Sequence, residues 1–342
     1  MPEAKPNRAG TRRPRAPRSG QTGPAAEPDA PAPAARRRPP ARRPPARRPA
    51  PAAREIDLIE TGSREHYEDA ALYDYEYRRR RADVTFYREL ARRRLGGSGR
   101  ILELGCGSGR VTVPLARDGH EVVALDRSRP MLDRLRARVA ALPAAAAARI
   151  TPAEGDLRSF EVPGAFPLVI AAFNVLEHLY TRGEVDACLR SVAAHLAPGG
   201  VFAFDVQLPD LGWLLRDPGK RWARTRFTDP TTKRRMLYST NHDYDPISQI
   251  ALIRLYYDPV DPVDGPGHGH GHAGGDGPGH VVQLSQRKFF PAELEALVSH
   301  AGMRVLERFG DFSFGPLGPG AESQVLVCQV APTKTRDRPR AP

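Results

Sequence analysis

Ile101-Leu102-Glu103-Leu104-Gly105-Cys106-Gly107-Ser108-Gly109-Arg110 is the stretch on which the reading of this chain turns. Apolar residues at 101, 102 and 104 predict a short buried strand. Glycines at 105, 107 and 109 then break it, and Val111-Thr112-Val113-Pro114-Leu115 follows with helical character. A strand, a glycine-rich turn and a helix start form a cradle of nucleotide size. Glycine lets the backbone turn sharply and lets a ligand approach the main chain. The spacing excludes two common alternatives. A dinucleotide fingerprint G-x-G-x-x-G would need its third glycine at position 110, which is Arg110, and no Gly-Lys-Ser/Thr follows to make a P-loop.

Outward from this turn the chain alternates strands and helices. Glu121–Leu125 predicts a second strand ending in Asp126, 21 positions beyond Gly105. A carboxylate there has two oxygens with open lone pairs and can accept from both hydroxyls of a ribose. Ser128 predicts a helix cap, Pro130 sits in the first turn, and Met131, Leu132 and Leu135 share one face. A third strand around residues 149–151 leads to Glu154-Gly155-Asp156-Leu157. Leu168–Phe173 is wholly apolar, as in the middle of a parallel sheet, and runs into Asn174-Val175-Leu176-Glu177-His178-Leu179. Val185, Leu189, Val192 and Leu196 have helical spacing, and Pro198-Gly199-Gly200 precedes the strand Val201–Asp205.

The E-x-G-x-G-x-G pattern at Glu103–Gly109 resembles motif I of the class I methyltransferases that depend on S-adenosylmethionine (SAM). Glu154-Gly155-Asp156, the Leu-Glu-His-Leu segment and Leu-Ala-Pro-Gly-Gly follow in that family's order, covering residues 101–206, and the closing strands extend the likeness to 331. The chain is most similar to small-molecule enzymes with a β-rich insertion after strand five. The resemblance implies an α/β fold with a Rossmann-like, seven-stranded, mostly parallel sheet and antiparallel closing strands. It implies SAM as cofactor, bound by Glu103, Gly105, Cys106, Gly107, Gly109, Asp126, Arg127, Met131, Asp156, Leu157, Phe173 and Asn174. Asp156 and the Leu157 N–H would meet the adenine, and Phe173 and Asn174 the methionine part. His178 is the candidate general base for a hydroxyl acceptor, since a histidine suits proton transfer near pH 7. His242 and Tyr244 are alternative groups on the acceptor side.

The flanks read differently. Residues 1–55 hold 14 of the 35 prolines, with 14 Lys/Arg against 4 Asp/Glu. Such a segment lacks apolar side chains to offset chain entropy, and the expectation is a disordered basic tail. It carries +10 of the net +12, so the remaining body is near neutral and implies no nucleic-acid footprint of its own. Nucleic acid enters only through the tail, and the alternatives to a small-molecule enzyme are an RNA or protein methyltransferase anchored by it, or a SAM-binding protein without turnover. Residues 65–95, with Tyr67, Tyr73, Tyr75, Tyr77, Phe86 and Tyr87, suggest a helical lid over the cofactor. The core is expected over 56–207 and 291–331, with a short basic tail after it. Residues 208–290 predict an antiparallel cap near the acceptor, with strands within 222–227, 235–240, 249–257 and 281–285. Its Gly265–His280 loop carries His268, His270, His272 and His280, a set able to bind Zn, Ni or Cu, which we read as a flexible hairpin loop without a metal. Cys106, Cys188 and Cys328 are too scattered for a disulfide framework or a zinc motif. With neither a secretory signal nor a span of membrane length, the expected location is the cytoplasm.

Overall fold

The computed structural model describes residues 53–260 and 279–332. The expectations for residues 1–52, for His268, His270 and His272, and for the C-terminal tail from 333 lie outside the described residues. Three helices precede the first strand: α1 (Ala53–Gly62), α2 (Ala70–Tyr77) and α3 (Ala82–Leu95). The sequence reading did not anticipate α1, whose first three residues fall in the stretch assigned to the tail. A 3-10 turn at Glu65–Tyr67 separates α1 from α2, and the Asp69 carboxylate caps α2 by accepting from the Ala71 and Leu72 N–H groups.

The doubly wound part follows in order: β1 (Arg100–Leu104), α4 (Thr112–Arg117), β2 (Glu121–Asp126), α5 (Arg129–Ala140), α6 (Ala144–Ala147), β3 (Ile150–Glu154), β4 (Phe166–Ala171), α7 (Arg182–His195) and β5 (Leu196–Gln207). Ser128 caps α5 and Thr181 caps α7, the latter in a reciprocal capping box with Glu184. After α8 (Leu211–Leu214) come β6 (Trp222–Thr228), β7 (Arg235–Asp245), β8 (Ile250–Pro259) and β9 (His280–Arg287). The chain then returns through α9 (Pro291–His300), β10 (Met303–Phe309) and β11 (Ser323–Val330).

The main sheet has seven strands in the order β10-β11-β5-β4-β1-β2-β3. β1 through β5 pair in parallel, and β11 runs antiparallel to both of its neighbours. Side chains alternate between its faces. Leu102, Leu104, Val169 and Ala171 join one apolar cluster with α7 and α9, whereas Ile101, Leu168 and Ile170 join another with α3, α4 and α5. Burial on both faces is why β4 reads as a nearly unbroken apolar run and β1 is apolar at 101, 102 and 104. The strand order reverses between β1 and β4, so the crevice at their carboxyl ends is where a ligand belongs in an open α/β sheet.

The second sheet is antiparallel, in the order β6-β7-β8-β9. The Asp229 carboxylate accepts from the Thr231 and Thr232 N–H groups in the β6–β7 turn, and Asp245 from the Ile247 N–H in the β7–β8 turn. Its apolar face packs with Leu72 of α2, and Tyr257 donates to Glu76 Oε1 at 2.6 Å. Burial raises the Glu76 carboxyl to about 7. The cap is therefore tied to the N-terminal helices as well as to the strand that follows it.

Candidate active site at the carboxyl ends of β1, β2 and β4

Two loops leave neighbouring strands and meet. After β1 the backbone is left-handed at Gly105, Gly107 and Gly109, with φ of 66°, 53° and 85°. A β-carbon at Gly105 would stand 2.6 Å from Val175 Cγ2, and one at Gly109 would stand 2.4 Å from Leu135 Cδ1. At Gly107 nothing lies within 4 Å of that position. After β4 the backbone is left-handed at Phe173 and Asn174, with φ of 72° and 61°. Neither is glycine, and such a conformation costs of order 1–3 kcal/mol per residue unless its surroundings impose it. They do: the buried Asp205 carboxylate on β5 accepts from the Phe173 N–H at 2.8 Å and the Asn174 N–H at 3.1 Å, and from the Tyr87 hydroxyl at 2.6 Å. Burial lifts the Asp205 carboxyl to about 6, against these hydrogen bonds.

The far end of the second loop is held by another buried carboxylate. Glu177 accepts from the Gln207 N–H at 2.8 Å and from Lys288 Nζ at 2.7 Å. Lys288 is 1% exposed and also donates to the side-chain oxygens of Gln207 and Gln286. It lies just beyond β9, so this ion pair joins the cap to the loop.

Between the loops lies a cavity of about 340 Å³, within the ~300–1,000 Å³ usual for small-molecule sites. Gly105, Gly107, Asp126, Arg127, Leu157 and Phe173 line it, as the sequence predicted them to lie near a cofactor. The Asp126 carboxylate accepts from the Gly107 N–H at 2.7 Å and the Ser128 N–H at 2.8 Å. Burial raises its pKa, and those backbone bonds oppose the rise. Two bonds leave a carboxylate with further acceptor capacity. Arg127 donates to the Ser63 carbonyl at 2.5 Å, pinning the end of α1 beside the cavity.

Six of the predicted contacts do not line the cavity. Glu103 is buried beneath it, accepts from Thr112 Oγ1 at 2.6 Å, and is raised to about 8 by burial. Cys106 and Met131 are buried at 5% and 1% exposure, and Pro130 faces the cavity in place of Met131. Gly109 packs on Leu135, and Asn174 turns its N–H to Asp205. Asp156 is gripped by Arg158, whose Nε and Nη2 donate at 2.8 and 2.6 Å and hold the carboxyl below its usual range. His242 and Tyr244 are likewise elsewhere. His242 stacks on Trp213 at 3.7 Å between ring centroids and bonds to that residue's carbonyl, and Tyr244 packs with the apolar cluster of the cap.

His178 does line the cavity, with Tyr67 and Tyr73 from the N-terminal segment. Its Nε2 is 2.6 Å from the Tyr67 hydroxyl and its Nδ1 3.2 Å from the Tyr180 hydroxyl. The direction of these bonds follows from the far end. Ser285 Oγ donates to the Ile59 carbonyl at 2.8 Å, so Ser285 Oγ can only accept from Tyr180 at 2.7 Å. The Tyr180 oxygen then accepts from His178 Nδ1–H, leaving Nε2 to accept from Tyr67. The imidazole is neutral with both nitrogens engaged, and burial, with Arg127 nearby, lowers its pKa to about 3. The Tyr67 oxygen keeps only lone pairs for the cavity. This relay, the Asp205 brace and the Glu177–Lys288 pair were missed from sequence, since each links residues far apart in the chain.

The sheet order, the crevice at its switch point and the glycine cradle define a class I methyltransferase fold. The family described as a methyltransferase domain matches residues 101–200, and that stretch is a methyltransferase domain. It is 28% identical over 260 residues to dTDP-3-amino-3,4,6-trideoxy-alpha-D-glucopyranose N,N-dimethyltransferase of Streptomyces venezuelae, covering 73% of this chain and 94% of that one. Among solved structures the CcbJ methyltransferase from Streptomyces caelestis superimposes with a TM-score of 0.60 at 24% identity, over 79% of this chain and 99% of that one. SAM-bound CalS10, an amino pentose methyltransferase from Micromonospora echinaspora, gives 0.54 at 19% identity over 76% and 95%. The cofactor is SAM. The residues present suit it, because the open space at Gly107 and the spare acceptor capacity of Asp126 face one cavity. Among the described residues no helix is long and apolar enough to cross a membrane.

Proposed function

We propose that this enzyme methylates an amine on a small-molecule acceptor, with Asp126 accepting from the cofactor's ribose and Phe173 flanking its methionine end. The observation that carries the choice of amine is the state of His178. A hydroxyl acceptor benefits from a base near neutrality. An imidazole with a pKa near 3 and both nitrogens in hydrogen bonds does not take up a proton at pH 7. An amine needs only to arrive neutral, because its own lone pair forms the new N–C bond.

The cofactor supplies an activated methyl group on a sulfonium leaving group. The protein's part is placement, and holding reactants in line can supply ~7–11 kcal/mol of a barrier. The Tyr67 oxygen, fixed as an acceptor by the relay, can orient an acceptor N–H and so aim the nitrogen lone pair. The new ammonium proton passes to water after transfer. The Streptomyces venezuelae relative is by its name an N,N-dimethyltransferase of an amino sugar nucleotide, which supports an amine acceptor here. The test is a panel of matched amines and alcohols scored by S-adenosylhomocysteine release. Amines should turn over; a panel in which only the alcohols react would overturn the reading.

A further inference from the structure

A second cavity, of about 430 Å³, adjoins the first through Tyr73, which lines both. Six arginines face it: Arg78, Arg80, Arg81, Arg110, Arg117 and Arg138. Among the described residues, the carboxylates that touch these arginines are two, Asp74 and Asp83. The cavity therefore carries a surplus of positive charge along an open cleft, which attracts anions.

Several of these arginines are already held in place. Asp83 is fully buried and grips Arg110 through two bonds of 2.8 and 2.6 Å. Arg138 donates to the Ser108 carbonyl at 3.1 Å and pairs with Asp74 at 2.6 Å. Arg78 stacks on Tyr75 at 3.6 Å. Arg81 and Arg117 are exposed and have no partner among the described residues. A guanidinium carries five N–H donors, so even the paired ones keep donors to spare. The cavity is also close to the reacting centre. The Arg80 and Arg110 guanidinium groups lie 4.5 and 4.9 Å from the Phe173 ring, whose other surroundings include the first cavity.

In the opposite direction, Tyr77 and Arg78 are shared with a third cavity of about 470 Å³. Its walls include Tyr75, Phe227 and Tyr238, with Arg226 beside them. The order along this groove is methyl-transfer cavity, arginine cavity, aromatic cavity. Fixed, forked donors match phosphate oxygens, and aromatic walls match a planar ring.

We propose that the arginine cavity binds the diphosphate of a nucleoside-diphosphate-linked acceptor, with the base in the aromatic cavity. The proposal rests on the amine-acceptor reading only for where the far end of that ligand lies. Its test needs no turnover. Calorimetry on the full chain would compare inorganic pyrophosphate, thymidine and thymidine diphosphate. Thymidine diphosphate should bind more tightly than either part. Arg81→Ala/Arg117→Ala should weaken both phosphate-bearing probes by about tenfold or more, as expected for lost charge-assisted bonds, with thermal melting as the folding control. Phe227→Ala, which lines the aromatic cavity and not the arginine cavity, should weaken thymidine diphosphate and leave pyrophosphate unchanged.

Equal binding of pyrophosphate and thymidine diphosphate would mean a site for free phosphate and would overturn the acceptor assignment. Absence of binding, or equal binding by wild type and the double arginine variant, would overturn the site itself. A failed amine panel leaves these binding results standing, so the two readings fail separately.

Discussion

The loops after β1 and β4 perform the same task by different means. Both turn sharply at the carboxyl edge of a parallel sheet, and both hold left-handed backbone against the same cavity. The first does so with glycine at each such position, where the conformation is nearly free. The second does so at Phe173 and Asn174, and depends on the Asp205 carboxylate beneath them. The first loop carries its geometry in its own residues. The second borrows its geometry from a strand 31 residues away. What the second loop gains is a side chain: Phe173 faces the cavity, where a glycine would present nothing.

That contrast can be broken most forcefully at Asp205. Asp205→Ala would leave the Phe173 and Asn174 N–H groups and the Tyr87 hydroxyl without their partner. At ~1–3 kcal/mol for each of these three groups, destabilisation of about 3–9 kcal/mol is expected in chemical denaturation. A loss below about 1 kcal/mol would mean that the second loop holds its own shape. A carboxyl whose folded pKa is raised stabilises fully below its unfolded value, and that contribution is lost as pH rises through the folded one. Asp205, with a pKa of about 6, thus favours the fold less above pH 6 than below pH 4, and Asp205→Asn should flatten that part of the stability profile.

A smaller effect is expected from the glycine loop. Gly105→Ala combines left-handed strain of ~1–2 kcal/mol with a clash against Val175, where overpacking adds ~1–3 kcal/mol. Adding Val175→Ala should restore the steric part and leave the conformational part. If the double variant is no more stable than the single one, the two loops do not meet as described.

Next in size is Asp126→Ala, which should weaken SAM binding by ~1.5–3 kcal/mol in calorimetry while the fold persists. Unchanged affinity would remove Asp126 from the cofactor's contacts.

The smallest effect is expected at His178. If the relay only orients Tyr67, His178→Asn should reduce kcat by roughly tenfold, well short of the ~10²–10⁴ of a lost general base. The pH profile of turnover should keep its shape, since the imidazole stays neutral above its pKa of about 3. The stability profile moves the other way: a depressed imidazole pKa stabilises above ~6.5, and that contribution fades as pH falls towards 3. Loss of an acidic limb from the rate profile in the variant would show that His178 carries the proton after all.

Local pattern was enough to read much of this architecture. The apolar positions Ile101, Leu102 and Leu104, the run Leu168–Ala171, the alternate glycines, the Ser128 cap and the four cap strands each announce themselves within a few residues. Asp126 was legible for the same reason, since a residue at the end of a strand is placed by that strand. Asp156 shows where this stops. Its position after β3 is as expected, yet Arg158, two residues on, takes its carboxylate away from the cavity. Sequence spacing sets which strand end a side chain occupies, not which partner wins it.

What the chain determined by itself is therefore the sheet, the cradle and the chemical class of the reaction, because strand periodicity and glycine freedom act over short distances. What tertiary structure alone decided is the state of the site. The relay from Tyr67 through His178 and Tyr180 to Ser285 and Ile59 spans over 200 positions of sequence. Asp205 and the Glu177–Lys288 pair depend on burial of charge that only the assembled core and cap provide. Hydrogen-bond direction and desolvation are properties of the packed surroundings, and they set the neutral state of His178 and both of its hydrogen bonds.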